Sequence, residues 1–407
     1  MIKMKYCSLC LYPNIAVNLK IDDSSVCSSC SSRIKFIKID KSSWDKRKKL
    51  LQKIFKEYKK KNESNYDCLI PVSGGKDSYY QIHLITKVLN LKPLLMTYDG
   101  NNWLPEGEFN RNRMKHNFNA DHIMWSPSVE VLKKLNRIAF KKMGDMNWQN
   151  HCGINTAPII TAVKFKIPLI IWGETNWDIS GMYDPNDLME FSARDRHEHS
   201  LRGFEWSDFT NDKKDKLKEK DLLWAKYPTD QEILSSGVRG LYLGNFFPWD
   251  GKKNAELAVK NYSFQIKKKP FQRTYRNFSN LDDRYENGVH DLMKFVKFGY
   301  GRCSDHASKD IRNSHMTRKK GIELIKKYDH VVSDDLYHWL DYVEMKEKEF
   351  WEIADTFRDP RVWWIKNGEW YKDNIWGQYS SYGSVHLNKK QIISFKNRQK
   401  KLFNIKN

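Results

Sequence analysis

The sequence predicts an α/β protein with a doubly wound parallel sheet, an N-terminal four-cysteine ribbon and a mainly helical C-terminal region. Three observations support this fold class. A Gly-rich turn at residues 73–78 joins a short apolar segment to a helical one. Further apolar segments alternate with helix-length segments, which is typical of a parallel sheet covered on both faces. Two C-x2-C pairs precede all of these segments.

The ribbon is predicted from the spacing of four cysteines. Cys7 and Cys10 form one pair, Cys27 and Cys30 form the other, and 16 residues separate the pairs. Each pair can turn its two thiolates toward one point, so the four can complete a tetrahedral site without an open position. We therefore expect a structural zinc ion within residues 1–35. A disulfide framework is the competing interpretation, which a reducing compartment disfavours.

Composition limits the class of protein but leaves its partners open. The 407 residues carry a formal net charge of +21, and 14% of them are aromatic, whereas disordered chains are poor in aromatic residues. No apolar run is long enough to span a membrane, and the first residues leave no room for a signal peptide, so we expect a cytoplasmic protein without membrane contact. The charge fits either a nucleic-acid partner or lysines spread over a solvated surface.

The Gly-rich turn has the features of an anion site. Residues 67–72 form a predicted strand and residues 79–89 a predicted helix, so glycine backbone and a helix N-terminus meet at residues 73–78. The turn fails the pattern G-x4-G-K-[ST], and its adjacent Gly74 and Gly75 exclude G-x-G-x-x-G. The segment S-G-G-K-D-S resembles the loop of the PP-loop ATP pyrophosphatases, which cleave ATP between its α and β phosphates.

More strands and helices follow in alternation. The predicted strands are residues 92–100, 121–125 and 167–172, and the predicted helices lie near residues 106–118, 128–142 and 155–166. Asp99 and Glu174 lie at the ends of two of these strands. Because parallel strands end at one edge of their sheet, both carboxylates are expected beside the turn, where they can contact Mg²⁺ or ribose.

The resemblance to PP-loop enzymes implies a role for each residue of the turn. Lys76 would offset charge as the α–β bond breaks, and Asp77 would hold Mg²⁺, so these two are the predicted catalytic residues. The predicted ATP and pyrophosphate contacts are Ser73, Gly74, Gly75, Lys76, Asp77, Ser78, Asp99 and Glu174.

Two segments of the carboxyl half resemble the N-acetyl sugar amidotransferases. Residues 242–250 read Y-L-G-N-F-F-P-W-D, and residues 295–308 read F-V-K-F-G-Y-G-R-C-S-D-H-A-S. With the ribbon and the turn, the resemblance covers most of the chain and thins after about residue 335. Basic groups near two glycines can surround a carboxylate or phosphate, as on sugar acids or nucleotide-linked sugars. The predicted substrate contacts are Arg302, Asp305, His306, Arg312 and Arg318.

This resemblance implies an ATP-dependent, AMP-forming carbon–nitrogen ligase. Such an enzyme adenylates the acetamido oxygen of an N-acetylated bacterial surface sugar and replaces it with ammonia nitrogen, giving an acetamidino group. The sugars belong to lipopolysaccharide O-antigens or to flagellin glycans that carry nonulosonic acids such as pseudaminic and legionaminic acid. The implied cofactors are ATP, Mg²⁺ and structural Zn²⁺. The implied ammonia source is a separate glutaminase with a cyclase-like barrel, because the chain shows no glutaminase arrangement of its own.

A tRNA-modifying PP-loop enzyme of the thiolation type is the alternative, since it can share the turn and the ribbon. Sulfur transfer needs reactive thiols, and the three remaining cysteines form no pair. Cys68 lies in a predicted strand, whereas Cys152 and Cys303 lie in polar, Gly-containing segments that we interpret as loops, which leaves their roles open. We therefore expect no nucleic-acid partner. A non-catalytic binding protein is the third interpretation.

These elements divide the chain into four predicted parts. A zinc ribbon spans residues 1–35, and a basic helical connector spans residues 36–62. The PP-loop ATP pyrophosphatase core spans residues 63–260. A helical, substrate-binding region spans residues 261–407.

Overall fold

A five-stranded parallel sheet lies at the centre of the computed structural model, which describes residues 4–59, 64–100, 102–175, 181 and 183–403. The strand order is β3-β2-β1-β4-β5. The strands are β1 Cys68–Pro71, β2 Pro93–Tyr98, β3 Asp121–Trp125, β4 Leu169–Trp172 and β5 Arg239–Tyr242. The parallel sheet confirms the predicted α/β class. Its order reverses between β1 and β4, so the end of β1 lies at the switch point where open α/β sheets bind ligands.

Helices and short turns surround this sheet. The helices as far as residue 262 are α1 Ser28–Ile37, α2 Lys41–Lys59, α3 Lys76–His83, α4 Pro105–Phe118, α5 Val129–Met143, α6 Trp148–Lys164, α7 Ala193–Asp195, α8 Asp230–Ser236 and α9 Gly251–Tyr262. Shorter π or 3₁₀ segments lie at Leu84–Val88, Arg196–Ser200, Trp206–Phe209, Glu219–Ala225 and Leu243–Asn245.

Both faces of the sheet are covered because successive strand residues point to opposite sides. Cys68 and Ile70 pack into one apolar cluster with residues of α2, α3, α4 and α9. Leu69 packs into a second cluster with residues of α5 and α6. Strands β1, β2, β4 and β5 are mostly buried, which explains their largely apolar sequence, whereas the edge strand β3 is partly exposed.

The C-terminal region contains helices and a small second sheet. Its helices are α10 Glu286–Phe298, α11 Arg302–Arg312, α12 Arg318–Tyr328, α13 Asp335–Val343, α14 Glu347–Thr356 and α15 Lys389–Phe403. Strands β6 Trp364–Lys366, β7 Glu369–Asp373 and β8 Tyr379–Ser384 form an antiparallel sheet that the apolar pattern of the sequence did not predict. Helix α11 begins at Arg302, because Gly299 ends α10 with a φ of +71° and Gly301 is the N-cap of α11.

The four-cysteine segment packs against the C-terminal region. Leu11 joins an apolar cluster with Cys303 and Ile325. The ring of Tyr12 meets that of Tyr300 edge to face, with 6.1 Å between the ring centroids. The first and last quarters of the chain therefore share a core.

Candidate active site

The turn after β1 lies close against α4 because one of its glycines has a left-handed backbone. Gly74 has a φ of +76°, and a Cβ atom at this position would lie 2.9 Å from the Cβ of Arg111. Both the conformation and the contact require glycine. The sequence therefore places a narrow turn, in which Gly74 and Gly75 carry no side chains, at the switch point of the sheet.

Hydrogen bonds within the turn leave a helix N-terminus available for an anion. The Oγ of Ser78 accepts the N–H of Ser73 at 3.0 Å, and the Oγ of Ser73 accepts the N–H of Gly75 at 3.4 Å. Gly75 is the N-cap of α3 and supplies no side-chain cap. Since the first N–H groups of a helix have no partners inside the helix, this N-terminus fits a phosphate or diphosphate group.

Lys76 and Asp77 form an ion pair at the start of α3. The amide nitrogen of Asn254, in α9, donates to the other oxygen of Asp77 at 2.8 Å. Burial opposes ionisation of Asp77, but the charges of Lys76 and Lys309 and these hydrogen bonds hold its pKa below the usual value. An ionised carboxylate beside a phosphate cradle fits a divalent cation between the two.

The C-terminal region reaches this turn through two ion pairs. The Nζ of Lys309, in α11, lies 3.0 Å from the Oε2 of Glu174, which follows β4. The Nε2 of His315 lies 2.8 Å from the Oδ2 of Asp250. Asp250 caps the N-terminus of α9, and α9 packs beside Lys76. Two residues more than 230 positions after the turn, Lys309 and His315, thus pair with residues that lie beside it.

Asp99 lies at the predicted edge but is held by protein partners. Its two oxygens accept hydrogen bonds from the indole N–H of Trp103 at 2.6 Å and the hydroxyl of Ser126 at 2.8 Å. The guanidinium of Arg111 stacks on Trp103, with 4.4 Å to the ring centroid. The roles of Asp99 and Glu174 toward ATP stay predictions.

Two of the predicted substrate residues engage an ion network along α10 and α11. Arg302 donates from Nε to Asp291 at 2.8 Å, and the Nζ of Lys294 donates to Asp305 at 2.6 and 2.7 Å. The hydroxyl of Tyr12, from the ribbon, donates to Asp305 at 3.0 Å. These partners fix Arg302 and Asp305, so each has little free capacity to bind a ligand directly.

The other three predicted residues lie in different surroundings. The Nδ1 of His306 lies 2.7 Å from the hydroxyl of Thr274, and burial together with the charges of Arg276 and Arg302 lowers the pKa of His306 well below its usual value. Arg312 donates to the Sγ of Cys10 at 3.5 Å, away from the turn. Arg318 begins α12 and is half-buried. Substrate binding by these residues stays a prediction.

The structure adds residues to the site that sequence reasoning missed. Asn254 and Lys309 act on Asp77, as described above. Asp282 has an exposed side chain, yet surrounding protein raises the pKa of its carboxyl, and Arg302 and Lys76 oppose that rise. Lys309 directly follows the segment 295–308 that the sequence singled out.

The four paired cysteines form a compact cluster that can hold one metal ion. All four are buried, and their sulfurs lie within 4.8 Å of one another. The Sγ atoms of Cys7 and Cys30 are 3.8 Å apart, and those of Cys10 and Cys27 are 3.5 Å apart. A tetrahedral zinc site with Zn–S bonds of about 2.3 Å separates its sulfurs by about 3.8 Å. The spacing therefore fits zinc.

The interpretation of Cys152 and Cys303 as loop residues was wrong. Cys152 lies within α6 and Cys303 within α11, and both are fully buried. Burial raises the pKa of the Cys152 thiol to about 12 and also raises that of Cys303. Neither side chain offers a thiolate at neutral pH. Cys68 is buried in β1 as predicted.

Comparison with known proteins assigns part of the C-terminal region. Residues 272–375 match the family model described as "LPS biosynthesis protein WbpG-like, C-terminal domain". A search of curated proteins finds no match to the chain. The matched residues include Lys309 and His315, which pair with Glu174 after β4 and with Asp250 at the N-terminus of α9. The match supports a role in surface-glycan biosynthesis, and a biosynthetic role of this kind indicates an enzyme. Among the described residues, no helix has the length and apolar character needed to cross a membrane.

Proposed function

We propose that this protein is an ATP-dependent amidotransferase of surface-glycan biosynthesis. It transfers AMP to the acetamido oxygen of an N-acetylated sugar, which breaks the α–β bond of ATP and releases pyrophosphate. Ammonia then adds to the activated carbon, AMP leaves with the oxygen, and an acetamidino sugar remains. The activation is needed because nitrogen resonance makes an acetamide a poor electrophile.

The position of the matched residues carries this proposal. The segment similar to a lipopolysaccharide biosynthesis protein lies beside the Gly-rich turn, because its Lys309 pairs with Glu174 after β4 and its charge acts on Asp77. The matched segment and a turn suited to an anion thus lie close together. This arrangement suits an enzyme that brings a sugar to a nucleotide.

The residues present fit ATP and magnesium. Ser73, Gly74, Gly75 and Ser78 would hold the pyrophosphate, since the turn is narrow and the N-terminus of α3 has no side-chain cap. Asp77, with Asp99 and Glu174 nearby along the sheet edge, would hold Mg²⁺. When bound, the ion supplies charge neutralisation between phosphate oxygens. Lys76 would stabilise charge on the departing pyrophosphate.

The remaining roles extend the proposal to partners and location. Arg302, Asp305 and His306 lie on the side of the site that binds the sugar, where Asp291, Lys294 and Thr274 hold them in place. A structural zinc ion occupies the four-cysteine cluster. Ammonia comes from a separate glutaminase with a cyclase-like barrel. The reaction takes place in the cytoplasm, where ATP is available and the cysteines stay reduced.

Pyrophosphate release from ATP and Mg²⁺ tests the proposal, with ammonium and either an N-acetylated sugar-acid panel or bulk tRNA. We expect release only with a sugar, and a product about one mass unit lighter because oxygen is exchanged for NH. Asp77→Asn should abolish release. Release that requires tRNA alone would overturn the proposal, and Cys152→Ser and Cys303→Ser would then identify a thiolation enzyme. Release with neither acceptor, or none at all, would also contradict it.

A further inference from the structure

A second group of potential metal ligands lies apart from the cysteines. One ring nitrogen each from His151 and His290 and one oxygen of Asp145 all lie within 4.8 Å of one another. Asp145 lies in the turn before α6, His151 lies in the first turn of α6, and His290 lies in α10. Two parts of the chain about 140 residues apart therefore meet at this group.

The contacts of the three side chains leave one ring nitrogen without a protein partner among the described residues. The Nδ1 of His290 lies 2.9 Å from Oδ1 of Asp145, and the other oxygen of Asp145 pairs with Arg202. The Nε2 of His151 is buried and has no hydrogen-bond partner in the part of the chain that the structure describes. Burying a polar atom without a hydrogen-bond partner costs free energy, so we expect this nitrogen to bind a ligand.

We propose that Asp145, His151 and His290 bind a divalent transition-metal ion, zinc in the first instance. Two imidazoles and one carboxylate are a common three-ligand set for zinc, and they leave a fourth position for water or another oxygen. Ligand atoms across a tetrahedral zinc lie about 3.3 Å apart, given bonds of about 2.0–2.1 Å. The observed separations need only small side-chain movements to reach that value.

The surroundings of the group suit metal binding and set its strength. An imidazole binds a metal through an unprotonated nitrogen, and the cations Arg202 and Arg302 lie near this buried group. Arg202 orients the carboxylate from outside, as second-layer groups do at metal sites. The same cations oppose a further positive charge, so this site binds zinc more weakly than the four thiolates do.

The position of the site gives it a role in joining two regions. Asn150, beside His151, lies so close to Gly100 that a Cβ there would come 2.2 Å from the Asn150 Oδ1. Gly100 follows β2, so the N-terminus of α6 lies at the same edge of the sheet as the phosphate turn. His290 belongs to the matched C-terminal segment. A bound ion would therefore fasten that segment to the sheet at its ligand-binding edge.

Metal stoichiometry of the full-length protein tests the site. The protein is treated with a mild chelator, and Zn²⁺ is then titrated against a chromogenic competitor. Two equivalents are expected per wild-type chain, with the weaker one absent in His151→Ala and in His290→Ala. His116→Ala, which removes an exposed histidine of α4, is the matched control and should keep both equivalents.

Co²⁺ provides a second measurement that does not depend on stability. The four thiolates give sulfur-to-cobalt charge-transfer absorption, whereas a His₂Asp site adds only weak ligand-field bands. We expect these weak bands to appear as a second phase in the wild type and to be missing in His151→Ala. One equivalent of zinc in every variant, or identical cobalt spectra in wild type and His151→Ala, would overturn the proposal and leave water as the partner of His151.

Discussion

At the scale of single residues, Gly74 sets how closely the phosphate turn and α4 approach. Two separate properties require glycine here: the backbone φ of +76°, and the neighbour Arg111, whose Cβ would lie 2.9 Å from a Cβ added at Gly74. Gly203 has a φ of +79°, but a Cβ added there would meet no atom of the described residues within 4 Å, so it shares only the first property. A comparison of the two glycines therefore separates the effect of backbone strain from the effect of steric crowding.

Alanine substitutions at these two glycines should therefore differ. Gly203→Ala should lower the free energy of unfolding by about 1–2 kcal/mol, the cost of a left-handed non-glycine residue. Gly74→Ala should lower it further and weaken ATP binding, because the turn must move away from Arg111. Urea unfolding and ATP titration measure the two effects. Equal losses in both variants, with ATP binding intact, would contradict the proposed fit.

The buried carboxyl of Asp283 should make the free energy of unfolding depend on pH. Burial is the main cause that raises its pKa to about 7, whereas an exposed aspartate titrates near 4. Between these values the folded protein binds a proton that the unfolded chain has lost, so this carboxyl makes the free energy of unfolding fall as pH rises. The Oδ1 of Asp283 accepts two backbone N–H groups, which asparagine can also do.

Asp283→Asn should consequently gain stability relative to wild type as pH rises from about 4 to about 7. The gain is about 1.4 kcal/mol for each pH unit by which the pKa of Asp283 in the folded protein exceeds that in the unfolded chain. Urea unfolding at several pH values measures it. Asp23→Asn changes an exposed carboxyl of the ribbon and serves as control. A stability difference that is independent of pH would show that Asp283 ionises freely.

At the scale of elements, α11 joins three parts of the molecule. Its N-terminal end pairs Arg302 with Asp291 of α10, its middle pairs Lys309 with Glu174 beside the sheet, and its C-terminal end places Arg312 against Cys10. The four-cysteine cluster and the sheet edge beside the Gly-rich turn therefore contact the same helix. Loss of either the Arg312–Cys10 or the Lys309–Glu174 contact should therefore destabilise α11.

Removal of the ribbon metal should loosen α11 before the sheet. A strong chelator, or Cys7→Ser, removes the fixed position of Cys10 and with it the support of Arg312 and Tyr12. Hydrogen exchange should then accelerate in Arg302–Arg312, while β1 and β2 stay protected. Uniform acceleration across all elements would instead indicate global unfolding, and no change would show that the ribbon does not support this helix.

Lys309→Gln tests whether α11 serves the site or only the fold. The Lys309–Glu174 pair is partly exposed, so its loss should cost less than about 1 kcal/mol of stability. Pyrophosphate release should nevertheless fall several-fold, because Lys309 also lowers the pKa of Asp77. Lys319→Gln, at an exposed position of α12, should leave the rate unchanged. Equal rates in both variants would restrict Lys309 to a structural role.

The elements that the sequence predicted are those with a local signal. The strands near the turn follow apolar runs, and the ribbon follows cysteine spacing. The position of Cys152 was misinterpreted because Gly153 resembled a loop residue. That glycine lies inside α6, where a Cβ would come 2.3 Å from the ring of Tyr98. Strands β6–β8 were missed because β8 is mostly polar and exposed.

The site was predictable only in part for a related reason. Residues 73–78 form it locally, so their pattern predicted an anion turn. Asn254, Asp282, His290 and Lys309 reach it, or the neighbouring metal ligands, through tertiary contacts that no local pattern records. The predicted ring of basic substrate residues was inferred from a helix whose ion-pair partners lie on other elements.

At the scale of the whole molecule, the net charge of +21 is carried largely on solvated helices. Helix α2 buries Leu51, Ile54 and Phe55 and exposes most of its lysines. The exposed lysines of α2 are Lys41, Lys46, Lys49, Lys53, Lys56 and Lys59. Such a surface attracts polyanions without reading their sequence.

Binding of tRNA should accordingly be weak, independent of sequence and steeply dependent on salt. Replacing Lys46, Lys49 and Lys53 by glutamine should weaken it further, yet leave sugar-dependent pyrophosphate release unchanged. Filter binding across a salt series and the release assay measure the two properties. Salt-resistant binding of one tRNA, or lost activity in the variant, would point to RNA as the substrate.

The contact between the two ends of the chain has a consequence for biosynthesis. The backbone N–H of Met4 donates to Asp373 at 3.1 Å, and the cysteine cluster rests on helices from the last third of the sequence. A ribosome adds about 5–20 residues per second, so these partners emerge tens of seconds after the ribbon. During that interval Leu11 and Tyr12 have no native surface to cover them. Early capture of zinc by the nascent ribbon would keep its thiols from oxidation until the rest of the chain arrives.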